Sequence, residues 1–202
     1  MMLHRTTPLV SIITPVHNDG KYIGSSANAI CSQSMEDFEW LLIDDASGPE
    51  TAEILARLAA TDSRIRVITQ PVNSGPAQAR NTGVENANGE FIAFCDADDI
   101  WDPRKLEYQC RFMRDNNIDF SYHDYVSFED GSGRPMAHIG GSDRLTLFAH
   151  NTRRGVGCLA VMLRRSAVKS ALFPKMPAGM IAEDFAAWAH LLQTGIEGRR
   201  LP

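Results

Sequence analysis

Three carboxylates lie within four positions directly after a short apolar run. Asp96, Asp98 and Asp99 follow the segment 91–94, which has the composition of a buried strand. Clustered carboxylates repel one another and burial penalises each charge, whereas a hard divalent cation relieves both costs. Mg²⁺ and Mn²⁺ prefer oxygen ligands, and Mg²⁺ is commonly held by one or two carboxylates together with substrate phosphates. The cluster therefore predicts a metal–phosphate site at a strand end; the alternative is a solvated acidic turn before a helix.

A second acidic pair ends another apolar segment. Asp44 and Asp45 follow the predicted strand 38–43. A carboxylate at that point can accept a hydrogen bond from an imide N–H, such as N3 of uracil, or can cap the following helix. Phospho-accepting receiver domains also carry an acidic pair at a strand end, but there it ends the first strand and here it ends the second.

A turn of small residues precedes another predicted helix. Asn73, Ser74 and Gly75 lead into Pro76, a residue favoured at the first position of a helix. Free backbone N–H groups at such a helix start suit an anion, and Arg80 lies about one turn further on, where it could reach a phosphate or a base. The alternative is a surface arginine. The chain contains no GxGxxG or GxxxxGK[ST] phosphate loop.

The last predicted helix, 181–193, carries a carboxylate toward its apolar side. Asp184 shares a face with Trp188 and Leu191, whereas Glu183 aligns with Ala187 and His190 on a face that we predict to be more polar. A carboxylate on an apolar face either caps its own helix or serves as a base facing a cleft. Burial raises the pKa of such a group and the helix N-terminus lowers it.

Strands and helices alternate through the first half of the chain. Strands are predicted at 9–14, where Pro15 ends the strand, and at 38–43, 64–69 and 91–94, with helices at 22–31, 50–60 and 76–86. The alternation and the nearly continuous apolar strands predict an α/β fold with a parallel sheet covered on both faces. Ligands of such sheets bind outside the carboxyl ends of the strands, where all of these polar clusters fall.

The second half is less regular. A helix is predicted at 104–113, strands at 119–128 and 157–163, and a hairpin turn at 131–133. We predict one domain over 1–202, with a regular half at 9–99 and a less regular half at 100–202.

Composition and charge exclude several classes. The chain has 202 residues, 44% of them hydrophobic, with a net charge of −5 and no long basic run, so a nucleic acid is not expected as a partner. Its four cysteines form no CxxC pair, which predicts reduced thiols. Without a signal peptide or a long apolar run we expect a cytoplasmic protein, and leave open a homodimer and peripheral association with the inner face of the membrane.

Together these segments resemble the family 2 glycosyltransferases, which have a GT-A fold: a Rossmann-like, mostly parallel sheet with a smaller mixed acceptor-side region. Five pieces occur in the family's order. The matching segments are 10–16, 42–47, 73–75 with 79–83, 89–99 and 183–184.

The resemblance implies a nucleotide-sugar-binding half at 9–99 and an acceptor-side half at 100–202, and a role for each matching residue. Asp96, Ala97 and Asp98 match the DxD motif, whose final Asp binds Mn²⁺ or Mg²⁺ beside the donor diphosphate. Asp45, or else Asp44, matches the residue that reads uracil, and Asp184 matches the catalytic base. The other matches to substrate-binding residues are Thr14, Pro15, Val16, Asn73, Gly75 and Arg80.

The implied reaction is inverting transfer of a sugar from a nucleotide diphosphate, most simply a UDP-sugar, to an acceptor hydroxyl in bacterial cell-surface polysaccharide synthesis. One alternative is a nucleotide-sugar-binding or regulatory protein without turnover, because many relatives continue beyond the last helix of this chain. A sugar nucleotidyltransferase is disfavoured, since 14–20 lacks the glycine-rich loop of that class.

Overall fold

The strands of the first half form the parallel centre of an eight-stranded sheet. The computed structural model describes residues 7–152, 156–169, 171–176 and 182–202. The first four strands are β1 (Val10–Val16), β2 (Phe38–Asp44), β3 (Ile65–Thr69) and β4 (Phe91–Phe94). They lie in the order β3-β2-β1-β4 and are all parallel, as the alternation predicted.

Strands of the second half extend the same sheet in mixed orientation. They are β5 (Phe120–Tyr122), β6 (Tyr125–Phe128), β7 (Pro135–Ile139), β8 (Arg144–Leu145), β9 (Met162–Arg164) and β10 (Gly198–Arg200). The sheet continues beyond β4 in the order β9-β5-β10-β8, and β9 runs antiparallel to both of its neighbours. Strands β6 and β7 form a separate hairpin.

Helices cover both faces of the sheet. They are α1 (Ile23–Cys31), α2 (Pro49–Thr61), α3 (Pro76–Asn86), α4 (Lys105–Asp115), α5 (Leu147–Thr152) and α6 (Glu183–Gln193). Helices α1, α2 and α4 contribute to one apolar cluster, and α3 and α6 to the cluster on the opposite face. This arrangement leaves the edge at the carboxyl ends of the parallel strands for the polar loops.

Pro15 does not end β1, contrary to the prediction. The strand runs to Val16, and the backbone carbonyl of Ile13 accepts a 3.0 Å bond from Cys95 on the β4 side. Pro15 is two residues after Ile13, so its backbone faces the same neighbouring strand, β4. Because β4 ends at Phe94, a backbone N–H at position 15 would have no partner in that strand. The proline therefore costs the sheet no hydrogen bond.

Two predicted strands of the second half are wrong in detail. The segment 119–128 is divided into β5 and β6, which belong to different sheets, with His123 and Asp124 between them. The segment 157–163 begins as a 3₁₀ turn, in which Ala160 N bonds to Gly157 O at 3.1 Å, and only β9 is extended. The segment 119–128 is rich in aromatic residues and the segment 157–163 is mostly apolar, but tertiary contacts decide where pairing stops.

Other predictions of the sequence agree with the structure. The hairpin turn lies between β6 and β7, where Gly131 and Gly133 have φ of +79° and +65°. All four cysteines are free. Across the described ranges, every helix is too short or too polar to span a bilayer. The first residue of the predicted last helix, Ile181, lies outside the described residues.

Candidate active site

A cleft of about 330 Å³ opens at the carboxyl edge of the parallel strands. Most of the residues predicted from sequence line it. These are Pro15, Val16, Asp45, Asn73, Gly75, Arg80, Asp96, Ala97 and Asp98. His17, Asp19 and Pro76, which sequence reasoning did not assign to the site, also line it. The loops after β1, β2, β3 and β4 therefore meet in one place.

Asp45 fixes the loop that precedes α3. Its Oδ1 accepts bonds from Gln70 Nε2 at 2.9 Å and Ser74 N at 2.8 Å, and its Oδ2 accepts one from Gly75 N at 2.8 Å. The residue is 2% exposed. A carboxylate has about four lone-pair positions. Three of them are occupied, so one position on Oδ2 remains for a ligand donor.

Three of the predicted residues, Thr14, Asp44 and Asp184, are not among the residues that line the cleft. The hydroxyl of Thr14 accepts a 2.8 Å bond from the indole of Trp40, and Thr14 is fully buried. Asp44 Oδ1 accepts a 2.9 Å bond from Ser47 N, which closes the turn after β2. Asp44 thus forms a local turn and does not cap the following helix, which was the alternative to base recognition; the N-cap of α2 is Gly48, without a side-chain bond.

His17 connects the loop after β1 to the loop after β2. Its Nδ1 lies 2.8 Å from the carbonyl of Asp45, and its Nε2 lies 3.1 Å from the side-chain amide of Asn18. These contacts fit a neutral ring that donates through Nδ1 and accepts through Nε2. The position of His17 beside Val16 was the only sequence signal for it.

Helix α1 supports the acidic turn after β4 through hydrogen bonds. Ser26 Oγ lies 2.6 Å from the carbonyl of Ala97 and 2.9 Å from that of Asp99. Asp99 Oδ2 accepts a 3.1 Å bond from Asp96 N. Burial, and after it the charge of Asp96, raises the pKa of Asp99 to about 7. Asp99 therefore shapes the turn, while Asp98 is exposed.

The carboxylates suit a divalent cation only in company with a ligand. Within the described ranges, His, Cys, Asp and Glu side chains form no group of three or more that could enclose a metal. Asp96 and Asp98 nevertheless line the same cleft and offer the hard oxygens that Mg²⁺ and Mn²⁺ prefer. Two carboxylates leave most coordination positions to phosphate oxygens and water, so the donor set fits a cation bound together with a diphosphate.

Arg80 is buried between two carboxylates. The residue is 5% exposed, so the alternative of a surface arginine is wrong. Its Nη2 donates to Asp96 Oδ1 at 2.6 Å and its Nη1 to Glu183 Oε1 at 2.9 Å. Its Nε has no hydrogen-bond partner among the described residues. Each η nitrogen carries a second hydrogen, so three of the five donors are without a partner in the part of the chain that the structure describes.

The first turn of α6 carries the two remaining carboxylates. Glu183 is 9% exposed and contacts Arg80, so the prediction of a more polar face for it is wrong. The reason is that Ala187, one turn further on that face, is fully buried against the core. Asp184 is half-buried, and its Oδ1 accepts a 2.6 Å bond from its own neighbour, Phe185 N. Burial raises the pKa of Asp184, which makes its ionised form a better proton acceptor than a free aspartate.

His150 on α5 supports this turn. It is fully buried, its Nε2 lies 2.8 Å from the carbonyl of Phe185, and its ring stacks on that of Phe185 at 4.0 Å. Like Gln70 and Ser26, His150 is distant in sequence from the residue it supports. No local pattern marks such residues, because their partners are set by the tertiary fold.

Comparisons with known proteins agree with the fold and with the resemblance to the glycosyltransferase family. The family model described as Glycosyl transferase family 2 matches residues 11–170. TuaG of Bacillus subtilis, named for teichuronic acid biosynthesis, is 36% identical over 189 residues, which cover 93% of this chain and 73% of that protein. The Escherichia coli enzyme WfgD, named a UDP-Glc:alpha-D-GlcNAc-diphosphoundecaprenol beta-1,3-glucosyltransferase, is 36% identical over 187 residues, 92% of this chain and 70% of that protein.

Solved structures show the same fold at lower identity. TarS of S. aureus in complex with UDP superposes with a TM-score of 0.76 at 24% identity, over 95% of this chain and 56% of that one. The mannosyltransferase PcManGT of Pyrobaculum calidifontis, in complex with GDP-Man and Mn²⁺, gives 0.72 at 18% identity, over 97% and 55%. The chain thus spans just over half the length of these two solved chains. The family model and the two bacterial relatives show that this chain belongs to glycosyl transferase family 2.

Proposed function

We propose that the protein transfers a sugar from a nucleotide diphosphate donor, most simply a UDP-sugar, to an acceptor hydroxyl with inversion. The observation that carries the proposal is the convergence of Asp45, Asp96 and Asp98 on one cleft. Arg80 links Asp96 to the helix that carries Asp184. The groups that would bind the nucleobase and the diphosphate thus belong to the same part of the molecule as Asp184, the candidate general base.

The nucleoside would lie beside Pro15, Val16 and Asp45. The free lone-pair position on Asp45 Oδ2 can accept the imide N–H of uracil but repels the N3 acceptor of cytosine. The loop of Asn73 and Gly75 closes the same side of the cleft. WfgD is named for a UDP-Glc donor and TarS was solved with UDP, which supports uracil as the base.

Asp98 and Asp96 are the residues that would hold Mn²⁺ or Mg²⁺ with the diphosphate. Such an ion supplies charge neutralisation of the diphosphate leaving group. PcManGT, which has the same fold, was solved with Mn²⁺. On the protein side, the remaining donors of Arg80 can hold phosphate oxygens.

Asp184 would take the proton of the acceptor hydroxyl as the oxygen attacks the anomeric carbon from the side opposite the diphosphate. That geometry inverts the anomeric configuration. Its raised pKa favours proton uptake. By analogy with the names of TuaG and WfgD, the acceptor is a growing cell-surface glycan or its lipid-linked precursor, which would place the reaction at the inner face of the membrane.

Calorimetric titration of UDP, dTDP, CDP and GDP in Mn²⁺, Mg²⁺ or EDTA tests the donor site. We expect UDP and dTDP to bind more tightly than CDP, and Mn²⁺ to tighten binding. Asp98→Ala should abolish the gain from Mn²⁺, while Asp115→Ala, an exposed carboxylate on α4, should keep it. Equal UDP affinity in Mn²⁺ and EDTA would reject the metal site. Tight donor binding with no turnover of any donor would favour a nucleotide-sugar-binding protein.

A further inference from the structure

Arg80 links the cleft to helix α6 through its two η nitrogens. On the side of the parallel strands it meets Asp96 at 2.6 Å, and on the side of α6 it meets Glu183 at 2.9 Å. The side chains of Arg80 and Glu183 are 6% and 11% exposed, whereas that of Asp96 is 36% exposed. The Arg80–Glu183 contact is thus the buried arm of this bridge, and the Asp96 contact is the arm that a ligand can reach.

Beside Arg80, a pair of hydrogen bonds joins α3 to the segment that contains Phe173. Asn81 Nδ2 donates to the carbonyl of Phe173 at 2.7 Å, and Phe173 N donates to Asn81 Oδ1 at 2.9 Å. The Phe173 ring lies 5.5 Å from the guanidinium of Arg80 and packs against Trp188 of α6 at 5.7 Å. The position of Arg80 is therefore defined relative to α6 as well as to β4.

We infer that Glu183 is a positioning residue that acts through Arg80 on both the donor site and the general base, Asp184; this inference rests on the proposed function. Arginine favours bidentate pairing with a single carboxylate. Because Glu183 holds Nη1, Arg80 meets Asp96 through Nη2 alone and only at Oδ1, which leaves Asp96 Oδ2 for a cation or a ligand hydroxyl. The same contact fixes the first turn of α6, where Asp184 lies.

A purely structural Glu183 would change stability without changing the donor site selectively. If Glu183 instead acts through Arg80, its loss frees Nη1 to close on Asp96 as a bidentate pair, which competes with the cation. Donor affinity and turnover then both fall. This outcome differs from that of Asp184→Asn, which should lower turnover and leave donor affinity unchanged.

The first test compares Glu183→Gln with Glu53→Gln. Glu53 forms an exposed ion pair with Arg57 on α2, at 71% and 64% side-chain exposure, and is a matched control. We expect Glu183→Gln to weaken UDP binding in Mn²⁺ by about tenfold, within the range of couplings between neighbouring charged groups, and to lower kcat as well. Glu53→Gln should change neither. Unchanged UDP affinity in folded Glu183→Gln would overturn the inference.

A double-mutant cycle shows whether the effect passes through Arg80. In the Arg80→Met background, Glu183→Gln should alter UDP affinity by less than about twofold, because the residue it acts through is absent. If Glu183→Gln costs the same factor in both backgrounds, Glu183 acts by another route and the inference is wrong.

A third measurement needs no ligand. Urea unfolding should show that Glu183→Gln destabilises the wild type but stabilises Arg80→Met, because there it removes a buried carboxylate that has lost its partner. The same sign in both backgrounds would refute the Arg80–Glu183 coupling. Failure of the wild type to bind any nucleotide diphosphate would instead reject the proposed function, and the unfolding cycle would still decide the coupling.

Discussion

The two sides of the sheet are built in different ways. On the side of β1 to β4, which the proposed function makes the donor side, β1 and β2 pair over seven residues and every residue of β2 is buried. On the side that it makes the acceptor side, β8 has two residues and β5, β9 and β10 have three each. Long buried parallel strands need a continuous apolar sequence, whereas short strands depend on partners elsewhere in the chain. The donor side is therefore encoded by local sequence, whereas the acceptor side depends on contacts between segments that are distant in the chain.

Ion pairs on the acceptor side connect segments that are distant in the chain. Arg200 of β10 donates to Asp124 at 3.0 Å and to Asp143 at 2.8 Å, and Arg164 of β9 donates to Asp119 at 2.8 Å. On the donor side, the parallel strands contribute apolar residues to the clusters on both faces of the sheet. The comparison suggests that donor binding and chemistry can be separated by mutation.

The largest expected effect separates the two sides by function. Asp184→Asn should keep donor affinity and lower turnover by about 10²–10⁴-fold, the usual contribution of a general base. Donor turnover and donor Kd, measured on the same folded preparation, check this. A variant that turns over donor at a near wild-type rate would show that the base lies elsewhere.

A smaller effect concerns the pH dependence of the acceptor side. Burial lowers the pKa of His123 from its ordinary value of 6.5 to about 4. The unfolded chain therefore binds a proton that the folded protein does not, so this contribution to stability is present above pH 6.5 and is lost as pH falls toward 4. The loss approaches about 3 kcal/mol across that range.

Urea unfolding at pH 7 and pH 4.5 measures this contribution. Carboxylates titrate in the same range, so the quantity of interest is the difference between wild type and His123→Gln, which should have the smaller loss on acidification. His190→Gln, at an exposed position of α6, should behave as the wild type does. Equal pH dependence in all three proteins would contradict the assignment.

The smallest effect tests packing on the donor side. A Cβ on Gly83 of α3 would lie 2.3 Å from Cγ2 of Ile13, which is fully buried in β1. Gly83→Ala should therefore destabilise the protein by about 1–3 kcal/mol through overpacking. Gly24 of α1 has no atom within 4 Å of such a Cβ, so Gly24→Ala should stabilise by about 0.5 kcal/mol. The two denaturant midpoints should move in opposite directions; a Gly83→Ala midpoint at or above that of wild type would show that α3 is not closely packed on β1.

The success of sequence reasoning follows the same division. The four parallel strands, the three helices between them and the clustering of Asp45, Gly75 and Asp96 at one edge could all be predicted. The division of 119–128 between two sheets could not, because the break at His123 and Asp124 contains neither glycine nor proline. Strand β10 was missed because its pairing partners, β5 and β8, lie more than fifty residues earlier in the chain.

The sequence by itself determined the alternation of elements, and hence which loops share an edge, because apolar runs and their breaks are local and parallel strands end on the same side. Only the tertiary structure decided how the charges pair. Arg80 and Glu183 are 103 positions apart, yet they form a buried contact at 2.9 Å. No periodicity encodes such a contact, since it depends on how α3 and α6 pack on one face of the sheet.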